Sequence, residues 1–260
     1  MNFVKSAILS VAVLSAANSF ADDNVLRVAT EPSFAPFEFM DQKTSELVGF
    51  DVDIINAVAE VEGYKTNISS MPFDGQIPAV VTNQIDVAIS GFTITDERKK
   101  IVNFSEPYYD AGLGALVRIE KKDEIKKLAD LKGRSICAQI GTSGAMFAQK
   151  IEGANVTQFN TASEAFMELN KGSCDATVND KPVLEYYLAT SKNDKLFMIN
   201  DKFTQEQYGI VTSKNNKELS DKIEDGLKKI KANGTYDKIY EKWFGKREEG
   251  FDKGLGDWFV

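Results

Sequence analysis

The chain has 260 residues, 43% hydrophobic and 27% charged, with 39 acidic against 31 basic side chains and a formal net charge of -8. That balance argues against nucleic acid or an anionic membrane surface as a partner. There is no histidine, which excludes Ser-His-Asp and Cys-His nucleophile systems and every histidine-based metal site, and two cysteines alone cannot build a zinc site.

Residues 1–21 read as an export signal. Met1 and Lys5 precede an apolar run over 7–17 that is too short to span a bilayer, and Ser19-Phe20-Ala21 is a small-x-small cleavage site. Cleavage is expected after Ala21. No cysteine follows the run to carry a lipid, and no later segment is long and apolar enough to cross a membrane, so a free exported protein is expected. About 240 residues remain, enough for one large domain or two lobes of roughly 100–150 residues.

A strand over 25–29 leads into a Pro-containing loop over 30–36, and FEFMD and ELVGF then read as a hairpin. Asp51 starts a helix with Val52, Ile55, Val58 and Ala59 on one face, which Gly63 ends. YKTNISSM reads as a strand, GQIPAVVTN as a helix and IDVAISGF as a buried strand, the mark of βαβ units and a parallel sheet. Further along, RSICAQI, NVTQF and CDATVND read as strands, alternating with the helices SGAMFAQKI, SEAFMELNKG and KPVLEYYLATS.

Extended runs over 111–120 and 205–213 flank this second α/β rhythm. They predict a chain that leaves one lobe, builds another and returns. Lobe 1 would comprise 22–110 and 209–260, and lobe 2 would comprise 111–208, with hinges near 108–114 and 204–210. In the C-terminal part, Leu219, Ile223, Leu227 and Ile230 form one helical stripe, Asn233-Gly234 stops it, and Thr235 is expected to cap a last helix.

Four loops at strand ends could carry chemistry. Thr95 caps a helix opened by Asp96 and Glu97, acids that suit a helix N-terminus. Arg98 does not suit it. It reads either as a solvated surface arginine or as an anion-binding fork beside free backbone N–H groups, with Thr93 adding a hydroxyl. Gln139 to Gly144 also joins a strand to a helix, and the amides near Thr142 read as an anion site or as a plain cap. Asp180, with Pro182 two places on, reads as an ordinary N-cap or as a carboxylate holding an ammonium group. In the loop EPSFAPF, Phe34, together with Phe73, could cover a ligand side chain. An anion site from Arg98 and Thr142 plus a cation site from Asp180 describes a zwitterion, with neither lobe holding both halves.

VATEPSFAPFEF, LVGFDVDIINAVAE, GFTITDERKKIVNFSEPYYDAG and NGTYDKIYEKWFG resemble, in this order and over nearly the whole mature chain, the periplasmic polar-amino-acid-binding proteins of ABC importers (solute-binding protein family 3). The resemblance implies an α/β, two-lobe, hinge-closing type II periplasmic-binding-protein fold with two crossover segments, and a monomer that serves a membrane permease without cofactor, metal or catalysis. It implies that Arg98, Thr93 and the Thr142 amide hold the ligand α-carboxylate. Asp180 and the Gly91 carbonyl would take the α-ammonium, Phe34 and Phe73 would sandwich the side chain, and Glu31, Ser90 and Gln139 would line its pocket. Gln139 resembles arginine-binding relatives, whereas the QYGI run resembles the glutamine-binding branch, so the polar amino acid stays open between the two. A sensory adaptor is the first alternative. A prephenate- or arogenate-type dehydratase, with Glu31 as its acid or base, is the second.

The tail after Gly245 departs from the family's usual ending, and Trp258 and Phe259 are expected to pack on lobe 1. For the cysteines, aligning RSICAQI with CDATVND as adjacent parallel strands offsets Cys137 from Cys174 by about three residues, roughly 10 Å at strand rise. A disulfide needs Cα atoms within about 7 Å, so free buried thiols are expected.

Overall fold

Most of the strands sort into two separate five-stranded sheets with helices packed against them, beside one three-stranded and one two-stranded sheet. The computed structural model describes residues 24–199, 201 and 203–246. The expected export signal and the tail beyond Lys246, with Trp258 and Phe259, lie outside the described residues.

The first stretch holds β1 (Val25–Thr30), β2 (Ser33–Phe34), β3 (Glu38–Met40), β4 (Leu47–Val48), α1 (Phe50–Val61), β5 (Lys65–Ser70), α2 (Phe73–Val81), β6 (Val87–Ala88), α3 (Asp96–Lys99), β7 (Val102–Phe104) and β8 (Tyr109–Ala111). The second holds β9 (Leu113–Arg118), β10 (Ser135–Gln139), α4 (Ser143–Ala148), β11 (Asn155–Phe159), α5 (Ala162–Lys171), β12 (Ala176–Asp180), α6 (Lys181–Ser191) and β13 (Leu196–Met198). The chain then returns through β14 (Glu206–Tyr208) and β15 (Val211–Ser213) to α7 (Lys217–Ala232) and α8 (Thr235–Phe244).

One sheet has the order β5-β1-β6-β15-β7, the other β11-β10-β12-β9-β13. β1 is parallel to β5 and β6, and β10 is parallel to β11 and β12, as the βαβ rhythm requires. β15 enters the first sheet antiparallel between β6 and β7. The chain segment leading into the first extended run meets the second as the antiparallel pair β8–β14, with Tyr109 opposite Tyr208, while most of the run over 111–120 forms β9. Strand β9 (LGALVR) is buried up to its last residue, the pattern of an inner strand covered on both faces. On α7, Leu219, Ile223, Leu227 and Ile230 are all buried, and the helix packs on α1. Around Phe37 and Phe50, the rings of Tyr109, Tyr208, Tyr240 and Phe244 close an aromatic cluster against β8 and β14.

Three local expectations are corrected. Only Val87 and Ala88 of IDVAISGF form strand, and the chain beyond them leaves the sheet as a loop that bridges to Tyr208 through Thr93. Thr235 opens α8 rather than capping it. Gly234 holds the cap position, and Asn233 Oδ1 accepts the Thr235 N–H at 3.0 Å.

The cysteines are not free thiols: Cys137 and Cys174 form a disulfide with Cα atoms 5.9 Å apart. The strand register is the anticipated one, Cys137 beside Thr177. However, β12 begins only at Ala176, and Cys174 sits in a bend instead of in extended chain. The Asp175 N–H donates to the Ser135 carbonyl at 2.9 Å, and its carboxylate accepts the Ser135 N–H and hydroxyl at 3.1 and 2.8 Å. Those bonds fold the bend back onto the start of β10 and close the gap.

Candidate functional site

Strand ends and helix starts from both sheets converge on one small cavity, lined by all ten residues selected from the sequence. Glu38 and Ser143 line it as well.

Arg98 is not a solvated surface arginine. The Thr95 hydroxyl accepts the Arg98 N–H at 3.2 Å and so caps α3, but the side chain turns inward and is only 7% exposed. Nη1 donates to the Thr93 carbonyl at 2.7 Å, and Nη2 crosses to the Gly141 carbonyl of the second sheet's β10–α4 loop at 3.0 Å. Its Cζ lies 5.5 Å from the Phe73 ring centroid and 5.4 Å from that of Phe92, rings that stack at 4.5 Å. Phe73 therefore supports the guanidinium as well as lining the cavity. Burial lowers the Arg98 pKa, against the pull of Asp180 and Glu206. The guanidinium keeps its charge regardless, and among the described residues no carboxylate is within ion-pair distance of it. Neutral carbonyls compensate a buried charge only in part.

Asp180 ends β12 and occupies the N-cap position of α6, yet its side chain caps nothing. It is 4% exposed and its Oδ1 has no hydrogen-bond partner. Burial raises its pKa to about 8, with Glu206 adding to the rise. Tyr208 and Arg98 oppose it, although the Tyr208 hydroxyl falls short of a full hydrogen bond.

At the other end of the cavity, the buried Glu31 accepts the Ser33 hydroxyl at 2.8 Å and the Gln139 amide at 3.3 Å through Oε2. Gln139 Nε2 also donates to the Asn160 carbonyl at 3.0 Å. Burial pushes the Glu31 pKa up, and both hydrogen bonds oppose it. The Ser90 hydroxyl accepts the Glu31 N–H at 3.0 Å. Gly91 lies at φ +55°, and a Cβ there would come within 2.8 Å of the Phe34 ring. Only glycine lets Phe34 close over this backbone.

Thr142 is the plain cap in part. Its hydroxyl accepts the Ala145 N–H at 3.1 Å and donates to the Gln139 carbonyl at 2.7 Å, so the amides at the start of α4 are what this loop can offer an anion. The Thr93 and Ser143 hydroxyls, one from each sheet's loops, both donate to Glu206 Oε2 at 2.8 Å.

Sequence reasoning missed Glu38 and Glu206, and considered Ser143 only for its backbone amide. In FEF, strand alternation sets Glu38 opposite its phenylalanine neighbours, whereas here both Phe37 and Glu38 are fully buried. Ser143 had the signal of adjoining Thr142, and Glu206 that of an acid within the crossing QEQYGI.

Among the described residues, no helix is long and apolar enough to cross a membrane. The family model of the bacterial extracellular solute-binding proteins, family 3, matches residues 26–246. An arginine-binding periplasmic protein of Mannheimia haemolytica is 35% identical over 224 residues, 84% of this chain and 90% of that one. A probable histidine-binding protein of Neisseria gonorrhoeae is 33% identical over 230 residues, 85% of this chain and 84% of that one. The solved structure of an ancestral arginine-binding protein bound to glutamine matches with a TM-score of 0.82 at 45% identity, over 86% of this chain and 99% of that one.

The expected two-lobe, type II periplasmic-binding fold holds, and these relatives are binding proteins rather than enzymes. Matched from its first strand through its last helix, the chain belongs to the bacterial extracellular solute-binding proteins, family 3.

Proposed function

We propose that this chain is the periplasmic binding component of an amino-acid ABC importer, that it takes a polar L-amino acid with a basic side chain, arginine or a close analogue, and that it delivers it to a membrane permease. The observation that carries this reading is the meeting of Arg98 and Asp180, buried groups of opposite preference borne by different sheets, in one cavity. Arg98, Thr93 and the Thr142 amide hold the α-carboxylate. Asp180 and the Gly91 carbonyl take the α-ammonium. Phe34 and Phe73 flank the side chain, and Glu31, Ser90 and Gln139 surround its end. Once a zwitterion satisfies Arg98 and Asp180, Glu31 remains with only neutral donors, and a cationic group matches it better than an amide does.

In this reading residues 22–110 with 209–260 and residues 111–208 are lobes that close on the ligand about hinges near 108–114 and 204–210, where β8 pairs with β14. Ligand charge drives closure because Arg98 and Asp180 gain partners of opposite charge only when both lobes surround the zwitterion. The exported monomer loses residues 1–21 by cleavage after Ala21. A thermal-shift panel on refolded, ligand-stripped protein tests the reading, because a ligand that binds only the folded state raises Tm. Arginine should give the largest rise and glutamine a smaller one. No rise with any amino acid overturns it.

A further inference from the structure

Beside the cavity, two carboxyl groups are buried together. Glu38 on β3 and Asp51 in the first turn of α1 both have 0% exposure. Asp51 Oδ2 accepts the Gly91 N–H and the Tyr108 hydroxyl, each at 2.8 Å. Glu38 Oε1 accepts the Ser90 hydroxyl at 2.7 Å. The remaining oxygens, Glu38 Oε2 and Asp51 Oδ1, have no donor. The fold brings the two side by side: the Asp51 N–H donates to the Phe37 carbonyl at 2.9 Å, and the two carboxyls hold the adjacent residues Ser90 and Gly91. The groups bonded to them are the neutral Ser90, Gly91 and Tyr108, and Glu31 adds a third acid nearby, so among the described residues no cation is hydrogen-bonded to either carboxyl.

Two adjoining carboxylates without a counter-ion do not both ionise in a low-dielectric interior, and the pair keeps one proton. A proton shared between Glu38 Oε2 and Asp51 Oδ1 would satisfy both of the oxygens that have no donor. The existing hydrogen bonds decide its place: Asp51 receives two donors, which favour its charge, and Glu38 receives one. We propose that Glu38 is a carboxylic acid donating through Oε2 to the Asp51 carboxylate, and that this proton-sharing pair is the positioning element for the ligand-facing backbone at Glu31, Ser90 and Gly91. Glu38 holds the Ser90 hydroxyl, which in turn holds the Glu31 N–H, while Asp51 holds the Gly91 N–H. Burial raises both carboxyls, Glu38 well above the usual range and Asp51 to about 6, in the same order. The positioning role rests on the amino-acid reading of the cavity; the proton does not.

The test compares wild type with Glu38→Gln and Glu38→Ala. A glutamine can donate to Asp51 and accept from Ser90 as the acid does, whereas alanine strands both. Infrared spectra of ligand-free protein near neutral pH should show a protonated-carboxyl stretch that Glu38→Gln removes; the Asp180 contribution cancels in that difference. Folded Glu38 keeps a proton that the unfolded chain releases in the ordinary carboxyl range, so this group costs stability as pH rises. The Glu38→Gln protein should lack that part of the slope. Arginine affinity should fall less than about threefold in Glu38→Gln and more than about tenfold in Glu38→Ala. No lost infrared band, or an unchanged slope of Tm with pH, overturns the shared proton. Equal loss of binding in both variants overturns the positioning role. Failure of every amino acid to stabilise wild type would sink the cavity reading, and the ligand-free measurements would still decide the proton.

Discussion

The Arg98 guanidinium reaches across from the loops of one sheet to the Gly141 carbonyl of the other, 3.0 Å away. Gly141 itself lies at φ +76°, where a Cβ would stand 3.1 Å from Asp74. Arg98 therefore links the two halves of the cavity and supplies its buried positive charge. Removing it would leave a ligand carboxylate buried without a partner, so Arg98→Ala should weaken amino-acid binding by roughly 3–5 kcal/mol. Arg98→Lys should recover little of this, because an ammonium cannot span the Thr93 and Gly141 carbonyls as a planar fork does. Calorimetry that found less than about a threefold change in Arg98→Ala would remove the residue from the site.

Asp180 gives the binding reaction a pH signature. In the ligand-free protein its carboxyl is pushed to about 8 from an ordinary 3.8, so it is protonated near neutral pH. The folded state then binds more protons than the unfolded one, and ligand-free stability falls as pH rises between those values. A ligand ammonium beside the carboxyl favours its charge and expels the proton. Binding heats measured near neutral pH in buffers of different ionisation enthalpy should reveal proton release, and affinity should increase as pH rises towards 8. Asp180→Asn should abolish both effects and weaken binding. Heats independent of buffer would show that Asp180 does not exchange a proton with the ligand's arrival.

Much of this arrangement was legible in the sequence, for identifiable reasons. Strand–helix alternation fixed which loops lie at strand ends, and ligands in open α/β sheets gather there, so Arg98, Thr142 and Asp180 could be brought together without coordinates. Periodicity exposed the buried stripe of α7. Side-chain direction at a turn was not legible. Asp180 followed by Pro182 carries the signature of a cap, and only geometry shows that the carboxylate leaves the helix amides alone. Asp51 was read only as the start of a helix, yet its carboxylate turns into the core to hold Gly91. The disulfide escaped because strand rise assumes extended chain, whereas Cys174 stands in a bend that hydrogen bonds pin to Ser135.

The disulfide should contribute measurable stability. It closes a sequence separation of 37 residues, and loops of that order are worth about 2–4 kcal/mol, chiefly by restricting the unfolded chain. A paired Cys137→Ala, Cys174→Ala variant should melt roughly 5–12 °C below wild type. Both cysteines are buried away from the cavity lining, so ligand affinity in the variant should stay close to that of wild type at low temperature. An unchanged Tm would mean that the bridge constrains nothing the unfolded chain explores.

Ligand choice should turn on Glu31 and Gln139, which meet across the cavity at 3.3 Å. Glu31 is buried, with a pKa raised by that burial, and only neutral groups donate to it. A guanidinium or ammonium on the ligand would supply the missing charge, and charge-assisted hydrogen bonds are worth about 1.5–3 kcal/mol. Glu31→Gln should therefore cost arginine about tenfold or more in affinity while leaving glutamine within a few-fold. Gln139→Lys makes the complementary change. Its ammonium would sit beside Glu31 and neutralise it from the protein side, after which a cationic ligand would meet a like charge and a neutral amide would not. The preference should then move from arginine towards glutamine. Combining Glu31→Gln with Gln139→Lys leaves the new ammonium without its carboxylate, so the double variant should bind arginine more weakly than either single variant. Equal losses for both ligands in Glu31→Gln would show that Glu31 shapes the pocket without reading ligand charge.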